Sequence, residues 1–126
     1  GFWDIFGAKL LEMKKSEIKF VIELDDKNLP KNIQWDASDK EEDGMENSKS
    51  ISLNVWDNLN QSTLRIDLWT DDMSVVEMKR FYIDIIGGMA QTILNSTGDE
   101  YMSEEMKDLC DRMVKHLNEE TKNAQK

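Results

Sequence analysis

Cys110 and His116 are the two side chains best suited to act as nucleophile or base near neutral pH, and they stand six residues apart in a helical pattern. Six residues leave them about 120° apart around a helix axis, so they do not form a Cys-His dyad. Cys110 falls at an apolar spacing and reads as a reduced core thiol. His116 reads as a surface histidine near a helix C-terminus, where a cation suits the dipole. Asp36, Asp39 and Asp43 ahead of Gly44 raise calcium as a question. An EF-hand loop, however, needs ligands at alternate positions and a closing glutamate at its twelfth, so the run reads as a solvated acidic loop. Asp71 and Asp72 precede a helix, where negative charge is favoured. No GxSxG, HExxH, glycine-rich phosphate loop or CxxC occurs, and these patterns carry the common hydrolase, metalloprotease, nucleotide and redox chemistries. The expectation is no catalytic residue, no metal and no cofactor, with an enzyme of unrecognised type as the alternative.

The aromatic residues carry more information. Ile51, Leu53 and Val55 alternate with polar residues, as do Leu64, Ile66 and Leu68, and the turn residues Asn58 to Gln61 separate the two runs. This is a hairpin. A turn centred on Leu59 and Asn60 sets Val55 opposite Leu64, Leu53 opposite Ile66 and Ile51 opposite Leu68, burying all six together. The other face then holds Asn54 opposite Arg65 and Ser52 opposite Asp67, with Trp56 near one end and Trp69 near the other. One explanation is a second small cluster closed by Trp35, Val21 and the long loop. The other is an aromatic binding surface made of Trp56, Arg65, Trp69 and Trp35, since Trp and Arg are enriched in interface hot spots.

The elements that would position these residues follow from period. Ile18, Phe20, Ile22 and Leu24 alternate with Glu17, Lys19, Val21 and Glu23 and predict a half-buried strand. Asp25 to Asn28 is turn chemistry, and Pro30 is tolerable where a strand begins. A second, shorter strand runs through Ile33 and Trp35, and Asp36 to Ser50 reads as a mobile loop. Ser74-Val-Val-Glu77 is a capping box that starts a helix, with Val75, Met78, Tyr82, Ile85, Met89 and Ile93 as its stripe. Gly87-Gly88 interrupts that helix and suggests a close approach, a kink or a subunit contact. Asp99 or Ser103 caps a second helix carrying Met102, Met106, Leu109, Cys110, Met113 and Leu117. Residues 118–126 read as a fraying end or polar tail. The fold class is α+β: one four-stranded antiparallel sheet followed by two helices packed on one of its faces.

The 126 residues suit a single domain, residues 13–117, with one core. Acidic residues number 26 against 16 Lys and Arg, a net charge of -10 that repels nucleic acid. No apolar run approaches the ~20 residues of a membrane span, and no secretory signal peptide opens the sequence. With a single cysteine, the expected location is cytoplasmic.

Met13 followed by Lys14 and Lys15 looks like a native start, which makes residues 1–12 an appended segment or fused peptide rather than a native helix. Phe2, Phe6 and Leu10, with Trp3 beside them, form an apolar helical face expected to dock in a groove of this molecule or a neighbour. Unprotected sheet edges and the Gly-Gly-Met helix predict a homodimer.

The strings Met13-Lys-Lys-Ser-Glu-Ile-Lys-Phe20, Trp35-Asp-Ala37, Leu64-Arg-Ile-Asp-Leu-Trp-Thr70, Glu77-Met-Lys-Arg-Phe-Tyr-Ile-Asp84 and Gly87 through Met102 resemble the GldC family of gliding motility proteins from Bacteroidetes. The resemblance spans residues 13 to about 117. It implies a cytoplasmic protein with no assigned reaction, an adaptor for a protein or peptide partner among the motility components, such as the lipoprotein GldB encoded beside it. The order of four strands and then two helices is also similar to the export chaperone SecB, which makes a SecB-like chaperone the alternative.

Overall fold

In the computed structural model, which describes residues 14–124, the first alternating run forms β1 (Ile18–Leu24) and pairs antiparallel with β2 (Pro30–Ala37). Phe20 lies opposite Trp35 and Ile22 opposite Ile33, so one face collects the apolar residues, and Ile33 is completely buried. β2 is eight residues long, not the short strand its two apolar residues suggested. The chain divides into two compact units, with the boundary between Asp72 and Met73.

Among the described residues the expected four-stranded sheet is corrected to five strands in two sheets. β3 (Glu46–Ser48) lies inside the segment read as a loop and pairs with residues 33–35 of β2. Its sequence has no apolar rhythm. Ladder hydrogen bonds hold it, together with a bond from Gln34 Nε2 to Asn47 Oδ1 at 3.2 Å. One residue later the chain continues as β4 (Ser50–Asp57), which pairs with β5 (Ser62–Trp69) in a separate two-stranded sheet. The break has a local cause: Ser50 N–H donates to the Ser48 hydroxyl at 3.3 Å, and that hydroxyl donates to the Ser50 carbonyl at 2.6 Å. A side chain thus competes for the backbone where the ladder changes partner.

The β4–β5 register matches the expectation pair for pair, including Val55 with Leu64, Asn54 with Arg65 and Ser52 with Asp67. The burial does not. Leu53, Val55, Leu64 and Ile66 are exposed, and Ile51 and Leu68 are half-buried. Alternation decides which side chains share a face; a covering layer decides whether that face is dry.

What remains of the loop, residues 38–45, closes over Trp35 through Lys40. Its ammonium lies 5.5 Å from the Trp35 ring and 3.6 Å from both Asp36 and Glu46, and it donates to the Gly44 carbonyl. The Lys40 side chain is only 10% exposed. Lys40 thus ties Trp35 to the loop, but this is not the expected second cluster: Trp56 and Trp69 stay exposed, and Val21 pairs with Gln34 on the opposite face of the sheet.

In the second unit, α1 (Val75–Thr97) begins at the capping box, with Ser74 and Glu77 exchanging side chain to backbone bonds at 3.1 Å. It ends at Gly98, whose φ of 74° is left-handed. Asp99 caps α2 (Glu100–Ala124) by accepting from Met102 N–H at 2.9 Å. The helix continues through the polar residues 118–124. The two helices pack antiparallel, with Ala90 fully buried and Ser103 donating to its carbonyl at 2.8 Å. A Cβ added at Gly87 would meet the Cys110 sulfur at 3.9 Å, an ordinary contact, and one added at Gly88 would meet open space. Phe2, Trp3, Phe6 and Leu10 lie outside the described residues.

Two substitutions test this packing. Lys40→Ala removes a ring contact and two ion pairs and should cost about 1–2 kcal/mol, with faster hydrogen exchange across residues 38–45, while Lys40→Met keeps the stem over Trp35 and should cost less. Ala90→Leu must force the helices apart and should cost about 1–3 kcal/mol in denaturant unfolding.

Candidate functional site

The tightest local construction in the first unit lies where β2 begins and β5 ends. Asp25 builds one side: its Oδ1 accepts from Lys27 N–H at 2.8 Å and Leu29 N–H at 2.9 Å, and Asn28 takes the left-handed φ of 62° that an Asx turn tolerates. This turn presents Leu29 and Pro30. The other side is the end of β5, anchored by Thr70, whose N–H donates to the Lys49 carbonyl at 2.8 Å and whose hydroxyl donates to Asp72. Thr70 is buried. Lys31 and Asp71 close the junction with an ion pair at 2.7 Å.

Between these walls lies a pocket of about 310 Å³ lined by Leu29, Pro30, Leu68 and Trp69, with Asn28, Asp67 and Asp71 at its rim. Leu29 and Trp69 remain 55% and 53% exposed, so the apolar walls face solvent. The volume sits at the bottom of the ~300–1,000 Å³ range of small-molecule sites and suits a single large side chain. The rim carboxylates are engaged. Asp67 accepts from Ser52 at 2.8 Å and from Nε and Nη2 of Arg65 at 3.1–3.2 Å. The hydrogen bond and charge of Lys31 hold the Asp71 carboxyl below the usual aspartate range, and Asp71 in turn raises Lys31.

Of the four residues expected to form an aromatic surface, the structure places Trp69 alone in the pocket. Arg65 reaches it only through Asp67. Trp56 is 65% exposed at the far end of the hairpin, opposite Thr63. Six residues of strand separate Thr63 from Trp69, about 20 Å, so the two tryptophans do not share a site. Trp35 lies in the other sheet beneath Lys40. Leu29, Pro30 and Lys31 went unrecognised, although Pro30 directly after an Asx-turn sequence was a usable signal.

The residues weighed for chemistry lie apart from this pocket. Asp36 pairs with Lys40, and Asp39 accepts from Ser16 at 2.5 Å. Asp71 and Asp72 are engaged by Lys31 and Thr70 rather than serving as helix caps, a role that falls to Ser74. His116 is exposed and lies 3.1 Å from Glu120, which also accepts from Lys79 at 2.9 Å. Cys110 is half-buried, and burial pushes its thiol pKa up, ahead of the nearby charges of Asp111 and Asp84.

The family model described as gliding motility-associated protein GldC-like matches residues 30–119. The chain belongs to the GldC-like family. No curated protein and no solved structure matches it. The matched segment of this GldC-like chain opens at Pro30, so it includes Trp69 and Lys31 but not the turn that presents Leu29. No helix among the described residues is long and apolar enough to cross a membrane.

The ion pair at the junction has a pH signature. A carboxyl with a lowered folded pKa adds stability above its unfolded pKa and loses that contribution as pH falls through the folded value. Asp71 should therefore titrate below an ordinary aspartate when followed by carboxyl-carbon NMR, and Lys31→Met should return it to the ordinary range. Because both groups are exposed, global stability should change little.

Proposed function

We propose that this GldC-like protein serves gliding motility as a cytoplasmic, non-enzymatic adaptor that holds an extended segment of a protein partner. The segment's anchor is one large apolar side chain seated against Trp69. The observation that supports this reading is the solvent-facing apolar pocket held open by the Asp25 turn on one side and Thr70 on the other. A preorganised pocket of this kind costs little to fill, because the walls need no ordering on binding. Its rim carboxylates are occupied by Arg65, Ser52 and Lys31, which suits them to shaping the pocket mouth rather than to proton transfer.

A SecB-like chaperone is the second reading. The hairpin favours it, since the exposed residues Leu53, Val55, Leu64 and Ile66 on one face and Trp56 and Trp69 on the other offer a broad surface to unfolded chains.

Peptides tiled across motility components, GldB first, would be screened for binding by fluorescence anisotropy. Trp69→Ala should weaken the best binder by ~2 kcal/mol or more, about thirtyfold in Kd, while Trp56→Ala stays within a few fold. Equal binding by wild type and Trp69→Ala would overturn the pocket reading. Similar affinity for unrelated unfolded proteins, reduced by Trp56→Ala, would favour the chaperone.

A further inference from the structure

β1 is the outer strand of the three-stranded sheet, hydrogen-bonded to β2 on one side and, among the described residues, to no strand on the other. Its hydrogen-bonding phase can be read from one contact. Ser38 N–H donates to the Glu17 carbonyl at 3.0 Å, in line with the ladder that continues through Ile18 and Ala37. Antiparallel ladders alternate, so the odd-numbered residues of β1 turn their backbone groups toward β2. The N–H and C=O groups of Ile18, Phe20 and Ile22 therefore point outward. The side chains of Ile18, Phe20 and Leu24 are also exposed. An edge of this kind, without proline and regular from Ile18 to Glu23, with its one register shift against β2 between Glu23 and Leu24, is a template for strand addition.

The strand's own sequence identifies the occupant. If a second copy pairs antiparallel about a two-fold axis at Val21, Lys19 faces the second copy's Glu23 and Glu23 faces its Lys19, both on the polar side. On the apolar side Ile18 faces Leu24 and Phe20 faces Ile22, while Val21 meets its own copy between the two ion pairs on the other face. Other registers do worse. An axis between residues sets apolar side chains of one copy beside charged ones of the other. Within the strand, an axis at Phe20 sets Lys19 against Val21 and leaves Glu23 and Leu24 without strand partners, and an axis at Ile22 sets Val21 against Glu23 and leaves Ile18 and Lys19 without them. The Val21 axis pairs all seven residues and opposes like charges only beyond its end, Glu17 to Asp25. The match is both electrostatic and apolar, and the register, like any with its axis at a residue, pairs the outward backbone groups of one copy with those of the other.

We propose that β1 is a homodimerisation edge, two copies joining β1 to β1 across a two-fold axis at Val21 into one continuous sheet. This inference does not rest on the pocket reading, and each can fail alone. The test uses the full chain with Cys110→Ser, so that an introduced cysteine is the sole thiol. At a non-hydrogen-bonded antiparallel pair the two Cα atoms lie about 4.5 Å apart, within disulfide reach. Val21→Cys should therefore form a covalent dimer on mild oxidation. Lys19→Cys and Glu23→Cys should remain uncrosslinked alone and crosslink when mixed. Light scattering of the wild type should give twice the 14.7 kDa chain mass. Lys19→Glu should weaken the dimer about tenfold, and the swap Lys19→Glu with Glu23→Lys should restore it. Ile22→Pro removes an outward N–H while sparing the β2 ladder, and should give a folded monomer by circular dichroism. A monomer mass across the concentration range would overturn the proposal. So would a dimer in which Val21→Cys fails to crosslink, whether a partner's strand, residues 1–12 or another surface occupies the edge, and this crosslinking result stands even if Ile22→Pro unfolds.

Discussion

The first unit depends on how the chain passes Lys49. On one side of this residue the strand hydrogen-bonds to β2 as β3, and on the other it hydrogen-bonds to β5 as β4. The Ser48 hydroxyl, bonded to both backbone groups of Ser50, makes that change of partner possible. The Lys49 carbonyl is then used by Thr70, which fixes the end of β5 next to the start of β2. The hairpin is a two-stranded sheet, and without this contact it would lose a tie at its open end, where an isolated ribbon is of marginal stability in water. The pocket beside Trp69 is a consequence of the same junction.

The distribution of polar partners shows which parts are held and which are offered. Lys40 and Thr70 are well covered, and each engages several groups. Ser103 is buried with its hydroxyl bonded, and no buried polar side-chain atom among the described residues lacks a partner. The apolar residues show the opposite pattern. Among the described residues Ile33, Ala90 and Leu117 are the buried hydrophobic ones, while both faces of the hairpin and the edge of β1 carry exposed large side chains. Soluble proteins tolerate scattered exposed leucines, but contiguous apolar faces mark interaction surfaces.

Much of the fold was legible from the sequence because it is locally encoded. The capping box at Ser74 and Glu77, the Asp99 cap, the Asp25 turn and the hairpin register each depend on residues within a few positions of one another, or on a period-two match that tolerates no slip. The family was also legible, since strings such as Leu64 to Thr70 are long and unusual. β3 was not, because Glu-Asn-Ser carries no apolar signal and exists only where β2 offers it a ladder. The site was legible in one residue of four: composition singled out Trp69, but spacing alone could not separate it from Trp56.

The sequence by itself determined the order of most elements, the face on which each side chain stands and the pairing of the hairpin, because backbone period and turn chemistry are local properties. The tertiary structure decided the division into two sheets, the burial of Lys40 over Trp35 and the meeting of Leu29 with Trp69. Those outcomes join residues five to forty positions apart, and the free energy that selects them comes from covering surfaces and satisfying backbone groups across that separation. Alternation could state that Ile51, Leu53 and Val55 face the same way, but no local rule could state that Leu53 and Val55 face water.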